Sequence, residues 1–62
     1  MPKVSEKKRQ LREISCYKVA EGGNHEIWYS PVTGKRFPIP RHNTEELKKK
    51  TEQSIDRASG LK

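Results

Sequence analysis

The side chains of this 62-residue chain best suited to moving protons at neutral pH are its two histidines, His25 and His42. An ordinary imidazole titrates at about 6.5, so it can serve as base or acid in the cell, whereas Asp and Glu would need large shifts to match it. His25 follows Gly22-Gly23-Asn24, a turn whose glycines let backbone N–H groups approach a phosphate without interference from a Cβ. His42 follows Ile39-Pro40-Arg41. Such groups suit the breaking of a phosphodiester, which requires a base for the attacking hydroxyl, an acid for the leaving oxygen and cations around the phosphorane charge. His25 with the planar guanidinium of Arg41 would make a metal-free centre of that kind. Two plainer roles compete: His25 can simply hydrogen-bond its turn, and His42 can shape the turn before Asn43 or touch RNA rather than act as the acid.

Metal chemistry is not expected. A two-histidine site would draw on Glu21 and Glu26 beside His25, and strand alternation turns Glu26 away. Cys16 is the single cysteine, which excludes an internal disulfide framework and a multi-cysteine zinc site and fits a reducing compartment. No cofactor is expected.

Fourteen Lys and Arg against eight Asp and Glu give a formal charge of +6, which points to a polyanionic partner, with RNA, DNA, an acidic protein or a membrane surface all compatible with charge alone. Lys18, Lys35, Arg36, Lys48, Lys49 and Lys50 are candidate RNA-backbone contacts. For Lys48-Lys49-Lys50 a solvated helix face competes, since three successive residues spread around a helix. No apolar run approaches the roughly 18 residues of a membrane span, so a soluble, cytoplasmic protein without a membrane partner is expected.

These residues must be held by a single domain, 1–62, with a thin core, because a chain of this size buries only about 60% of the surface its unfolded form exposes. Apolar residues make up 29% of it, but they cluster. Residues 5–14 read as a helix with Ser5 as its cap, and Val4, Leu11, Ile14 and the stem of Lys7 or Lys8 as its apolar side. Residues 16–20 form a first β-prone run. Residues 25–29 and 35–39 form a hairpin around Pro31-Val32-Thr33-Gly34, with Gly34 in the left-handed position. A three-residue loop would set Pro31 against Lys35, Tyr29 against Phe37, Ile27 against Ile39 and His25 against Arg41. That register gathers the aliphatic residues on one face, sends Glu26, Trp28, Arg36 and Pro38 to the other, and places the proline-bearing third strand at an edge. Trp28 would then either stack on a base or partner protein, or cover the second face with Pro38; Tyr29 reads as core. Asn43 with Glu46 suggests a capping box for a last helix carrying Leu47, Thr51, Ile55 and Ala58, and Thr51 could instead cap a second helical piece. Gly60 closes that helix and Leu61 folds back on it.

The resulting α-β-β-β-α order, an α+β fold with a three-stranded antiparallel sheet and two helices on one face, resembles the double-stranded-RNA-binding-domain fold. Within it, Gly23-Asn24-His25 entering an aromatic strand, Ile39-Pro40-Arg41-His42, Glu46-Leu47-Lys48-Lys49 and the closing Ile55 with Ala58-Ser59-Gly60-Leu61 are similar to motifs of the HicA toxin family, also called YcfA-like mRNA interferases. The resemblance covers nearly the whole chain. Asn24 stands where the family commonly has Ser, Lys50 where Gly commonly precedes Thr, and Glu21 in a stretch that is often basic. The Lys50 substitution favours a continuous final helix.

The resemblance implies the toxin of a type II toxin–antitoxin system: an endoribonuclease that cleaves mRNA with a single essential histidine, His25, supported by Gly23, Asn24, Arg41 and His42. It also implies inhibition by a HicB-type antitoxin in a hetero-oligomer, with operator DNA reached only through that complex. The alternative is a small basic RNA- or DNA-binding module without turnover.

Overall fold

In a computed structural model, which describes residues 2–61, the first helix α1 spans Val4–Glu13. Its cap position falls two residues ahead of the expected Ser5, at Lys3, and carries no side-chain cap. Its first N–H groups are satisfied by backbone instead: Val4 donates to the Glu45 carbonyl at 2.9 Å and Ser5 to that of Asn43 at 3.1 Å. The helix ends in a Schellman arrangement, Cys16 N–H to Leu11 O at 2.9 Å and Ser15 N–H to Arg12 O at 3.0 Å. Ser15 occupies the left-handed position there, with φ of 70°.

Three strands follow, β1 (Tyr17–Gly22), β2 (His25–Ser30) and β3 (Lys35–Pro40), in an antiparallel sheet of order β1-β2-β3. A bulge at Val19 interrupts the β1–β2 pairing. The edge position expected for β3 is observed. The expected hairpin register is not: Ser30 pairs with Lys35, Trp28 with Phe37, Glu26 with Ile39, and His25 with Pro40 rather than Arg41. The loop therefore holds four residues, 31–34, closed by Gly34 N–H donating to Ser30 O at 2.8 Å, with Gly34 at φ 72° as foreseen.

A slip of one residue turns every side chain of a strand over. Phe37 and Ile39 stay in the core, but β2 presents Glu26, Trp28 and Ser30 to the helices, leaving His25, Ile27 and Tyr29 on the open face. Trp28 is therefore core, and neither a base-stacking platform nor a cover for the second face. Tyr29 is not core either; half-buried, it lies beside Tyr17 on the open face with ring centroids 5.7 Å apart. The choice follows from what the helix side offers β2. Trp28 buries more apolar surface than Ile27 would, its Nε1–H donates to Glu26 at 3.0 Å, and the Arg12 guanidinium lies 5.4 Å from its ring centre.

The last helix, α2, spans Lys49–Ser59 with Lys48 as its cap residue. Asn43 does not cap it. Residues 45–47 run alongside the chain's beginning, with Glu46 bridged to Lys3 and Leu47 N–H bonded to Pro2 O at 2.9 Å. Those extended pairings compete with helix and delay its start. At the other end Gly60 adopts φ 84° and both Gly60 and Leu61 N–H donate to Asp56 O, as Gly60 and Leu61 promised. The Ser30 and Thr33 hydroxyls, each at 2.5 Å, cover the Ser59 and Ala58 carbonyls, so the hairpin loop caps the C-terminal end of α2.

Both helices lie on one face of the sheet, enclosing Val4, Leu11, Cys16, Trp28, Phe37, Ile39, Leu47 and Ile55. So thin a core is supplemented by two buried lysines. Lys7 Nζ reaches Asp56 at 2.6 Å and Glu52 at 3.3 Å, tying α1 to α2. Lys8 Nζ reaches Glu26 at 2.9 Å and Asn43 Oδ1 at 2.8 Å, tying α1 to β2 and to the loop before α2. Among the described residues, no helix is long and apolar enough to cross a membrane.

Candidate active site

An open cleft of about 440 Å³ lies at the end of the sheet where β2 begins and β3 stops. Asn24, His25, Pro40, His42, Lys48 and Thr51 line it together with Glu45, Glu46 and Leu47. His25 is exposed. By strand parity it shares the open face with Ile27 and Tyr29, but as the first residue of β2 it stands at the sheet's end, over the cleft.

The turn that presents His25 is clamped. Arg41 N–H donates to Asn24 O at 3.1 Å, and its guanidinium donates to Gly23 O at 3.0 Å and lies 3.4 Å from Glu21 Oε1. Glu21 also accepts from Lys18 at 3.2 Å. Gly23 takes φ of 51°. Arg41 is thus not the cross-strand partner of His25 that the expected register made it; it holds the turn that carries His25, and part of its fork is already committed to protein oxygens.

Opposite His25 stands the first turn of α2. With no side-chain cap on that helix, its leading N–H groups and the Lys48 ammonium form a positive end suited to an oxyanion. Glu45 and Glu46 make a negative rim that repels phosphate, leaving His42, Lys48 and the helix end as the anion-favouring side. Behind this loop, the Lys8 ammonium bonded to Glu26 holds that carboxyl below the ordinary carboxylate range, and the Trp28 N–H acts the same way against the opposing effect of burial. The bond from Lys8 to Asn43 then fixes the residue next to His42.

The structure brings together Asn24, His25, His42 and Lys48, with Gly23 and Arg41 supporting the turn. It separates the other expected RNA contacts. Lys18 is paired with Glu21, Arg36 is on the open face opposite Tyr29, Lys35 lies at the far end of β3, and Lys49 lies on the side of α2 facing Lys7 and Gln10. Sequence reasoning missed the positions of Thr51 and Glu45 in the cleft and the buried roles of Lys7 and Lys8. The helical stripe marks one of these two stems as apolar-facing, but the partners that allow both ammonium groups to be buried have no local signature, because they lie 49 and 35 residues away at Asp56 and Asn43. Among the described residues no group of three or more His, Cys, Asp or Glu is arranged to hold a metal.

A family model described as the HicA toxin of bacterial toxin-antitoxin matches residues 4–61. No curated protein and no solved structure matches the chain significantly.

Proposed function

The chain belongs to the HicA toxin family of bacterial toxin–antitoxin systems, and from that premise we propose that it is a metal-independent endoribonuclease that cuts mRNA in the cytoplasm with His25 as its catalytic residue. The observation that carries this reading is the exposed imidazole at the head of β2, facing an open cleft whose other wall holds His42, Lys48 and the uncapped start of α2.

His25 takes the proton of a 2′-hydroxyl; that oxygen attacks the neighbouring phosphorus, the P–O5′ bond breaks, and the leaving 5′-oxygen takes a proton from a second donor. His42 and Lys48 are the donors in the cleft. The products are a 2′,3′-cyclic phosphate and a 5′-hydroxyl. Charge on the phosphorane is met by Lys48, the α2 end and the remaining N–H groups of Arg41, while the Arg41 clamp keeps the Gly23-Asn24 turn from swinging His25 away. Lys35, Arg36, Lys18 and Lys49 contribute phosphate attraction at a distance.

A HicB-type antitoxin that covers the cleft would stop cleavage without any change in the toxin's fold, and operator DNA would be reached through that partner. The test is chemical. RNA carrying a single 2′-deoxy nucleotide at the cut position should resist the purified protein while flanking ribonucleotides remain competent; efficient cleavage at the deoxy site would exclude 2′-hydroxyl attack. The non-catalytic binding module is favoured instead if the wild-type protein binds RNA and cuts none.

A further inference from the structure

A second cleft, of about 270 Å³, opens between the beginning of β3 and the last turns of α2 and is lined by Lys35, Lys50, Ser54, Arg57 and Ala58. Its lining has three cations and no carboxylate. Among the described residues, none of the three is ion-paired, whereas Lys7, Lys8, Lys18 and Arg41 are all held by carboxylates. Part of the chain's formal positive charge is thus paired within the chain, and three of the cations left unpaired among the described residues collect here.

The two clefts lie on one seam. Helix α2 runs antiparallel to β3: Thr33, just before β3, bonds the Ala58 carbonyl near the end of α2, and Pro40, at the end of β3, shares the His25 cleft with Thr51 from the first turn of α2. Lys35 faces α2 because it has the parity of Phe37 and Ile39, both buried. From Lys35 to Pro40 the strand rises about 17 Å, the reach of a few nucleotides of extended single strand. A chain of phosphates leaving the His25 cleft along the α2–β3 seam arrives at Lys35, Lys50 and Arg57.

We propose that Lys35, Lys50 and Arg57 form a distal phosphate subsite that holds single-stranded RNA a few nucleotides from the cut, which rests on the reading of the first cleft as a ribonuclease site. Arg57 supplies a planar fork and the two lysines supply point charges, a set that grips backbone and reads no base. The subsite fixes the strand along one seam and favours substrates long enough to span both clefts.

The test is binding of a 2′-O-methyl single-stranded RNA, which cannot be cut through its 2′ position, over a series of salt concentrations. Lys50→Gln/Arg57→Gln is compared with Lys3→Gln/Arg9→Gln, which removes the same charge from exposed positions elsewhere. The cleft variant should bind about tenfold more weakly and lose about 1.4 from the slope of log affinity against log salt, at roughly 0.7 per phosphate contact on a single strand. The control should stay near wild type. Equal losses in both variants, or unchanged RNA binding with lost affinity for poly-glutamate, would overturn the subsite, the latter marking the cleft as a surface for acidic protein. If the slope drops as expected but wild type cuts no natural RNA, the subsite stands and the nuclease reading falls; cutting with an unchanged slope gives the reverse.

Discussion

Replacing Lys8 by Met keeps the apolar stem of a buried side chain and removes an ammonium with two partners, Glu26 at 2.9 Å and Asn43 at 2.8 Å. Hydrogen bonds to a charged group contribute about 1.5–3 kcal/mol each, and breaking a fully buried ion pair costs about 3–5 kcal/mol. The Glu26 side chain is 14% exposed, so water recovers part of that cost, and the expected loss is about 2–3 kcal/mol. At about 0.05–0.15 kcal/mol per residue the whole domain is stable by only about 3–9 kcal/mol, so much of its stability is at stake. The loss should depend on pH. Glu26 is held below its ordinary range by Lys8, so its contribution is complete above the unfolded carboxylate pKa and disappears as pH falls through the lower folded value. Urea unfolding of wild type and Lys8→Met at pH 7 and again below pH 4 gives the comparison: a deficit of about 2–3 kcal/mol at the higher pH that shrinks at the lower. An equal deficit at both, or none at pH 7, would refute the ion-pair account. Because Lys8 also fixes Asn43 beside His42, the variant should cut RNA more slowly even at temperatures where it is folded.

Gly60→Ala should destabilise by about 2 kcal/mol in thermal unfolding, from left-handed strain and because the added Cβ would meet Val32 Cγ1 at 2.8 Å. Ser15→Gly should stabilise by about 0.5–1 kcal/mol in the same assay, since Ser15 holds φ of 70° at the end of α1. Arg41→Ala should lower kcat for RNA cleavage by about tenfold with little change in melting temperature, because its partners Gly23 O and Glu21 are exposed and the bonds orient the His25 turn. Cleavage should continue in excess chelator; strict dependence on an added divalent ion would overturn the proposed mechanism.

Much of this architecture is legible from local signals. The glycines at 34 and 60 mark the hairpin and the end of α2 because each needs a positive φ. Element order and the edge position of β3 follow from β-prone runs and from Pro38 and Pro40. The face of β2 was not legible: alternation within His25-Glu26-Ile27-Trp28-Tyr29 offers apolar residues to both sides. Tertiary partners decide it, namely Lys8 for Glu26, Arg12 for Trp28 and the end of α2 for Ser30. The start of α2 is hidden for the same reason, since pairing of residues 45–47 with the chain's first residues outweighs the Asn43–Glu46 capping pattern. His25 stands out by its residue type, its glycine turn and the family motif, none of which depends on the hairpin register. Its exposure at the cleft is the structural finding on which the proposed chemistry stands.

The most direct measurement compares wild type with His25→Ala for RNA cleavage in vitro and growth arrest on induction, with circular dichroism and RNA affinity recorded on the same preparations. The account predicts that the variant folds, binds RNA about as well, and loses cleavage and arrest together. A folded His25→Ala protein that still cuts RNA at the wild-type rate would contradict it.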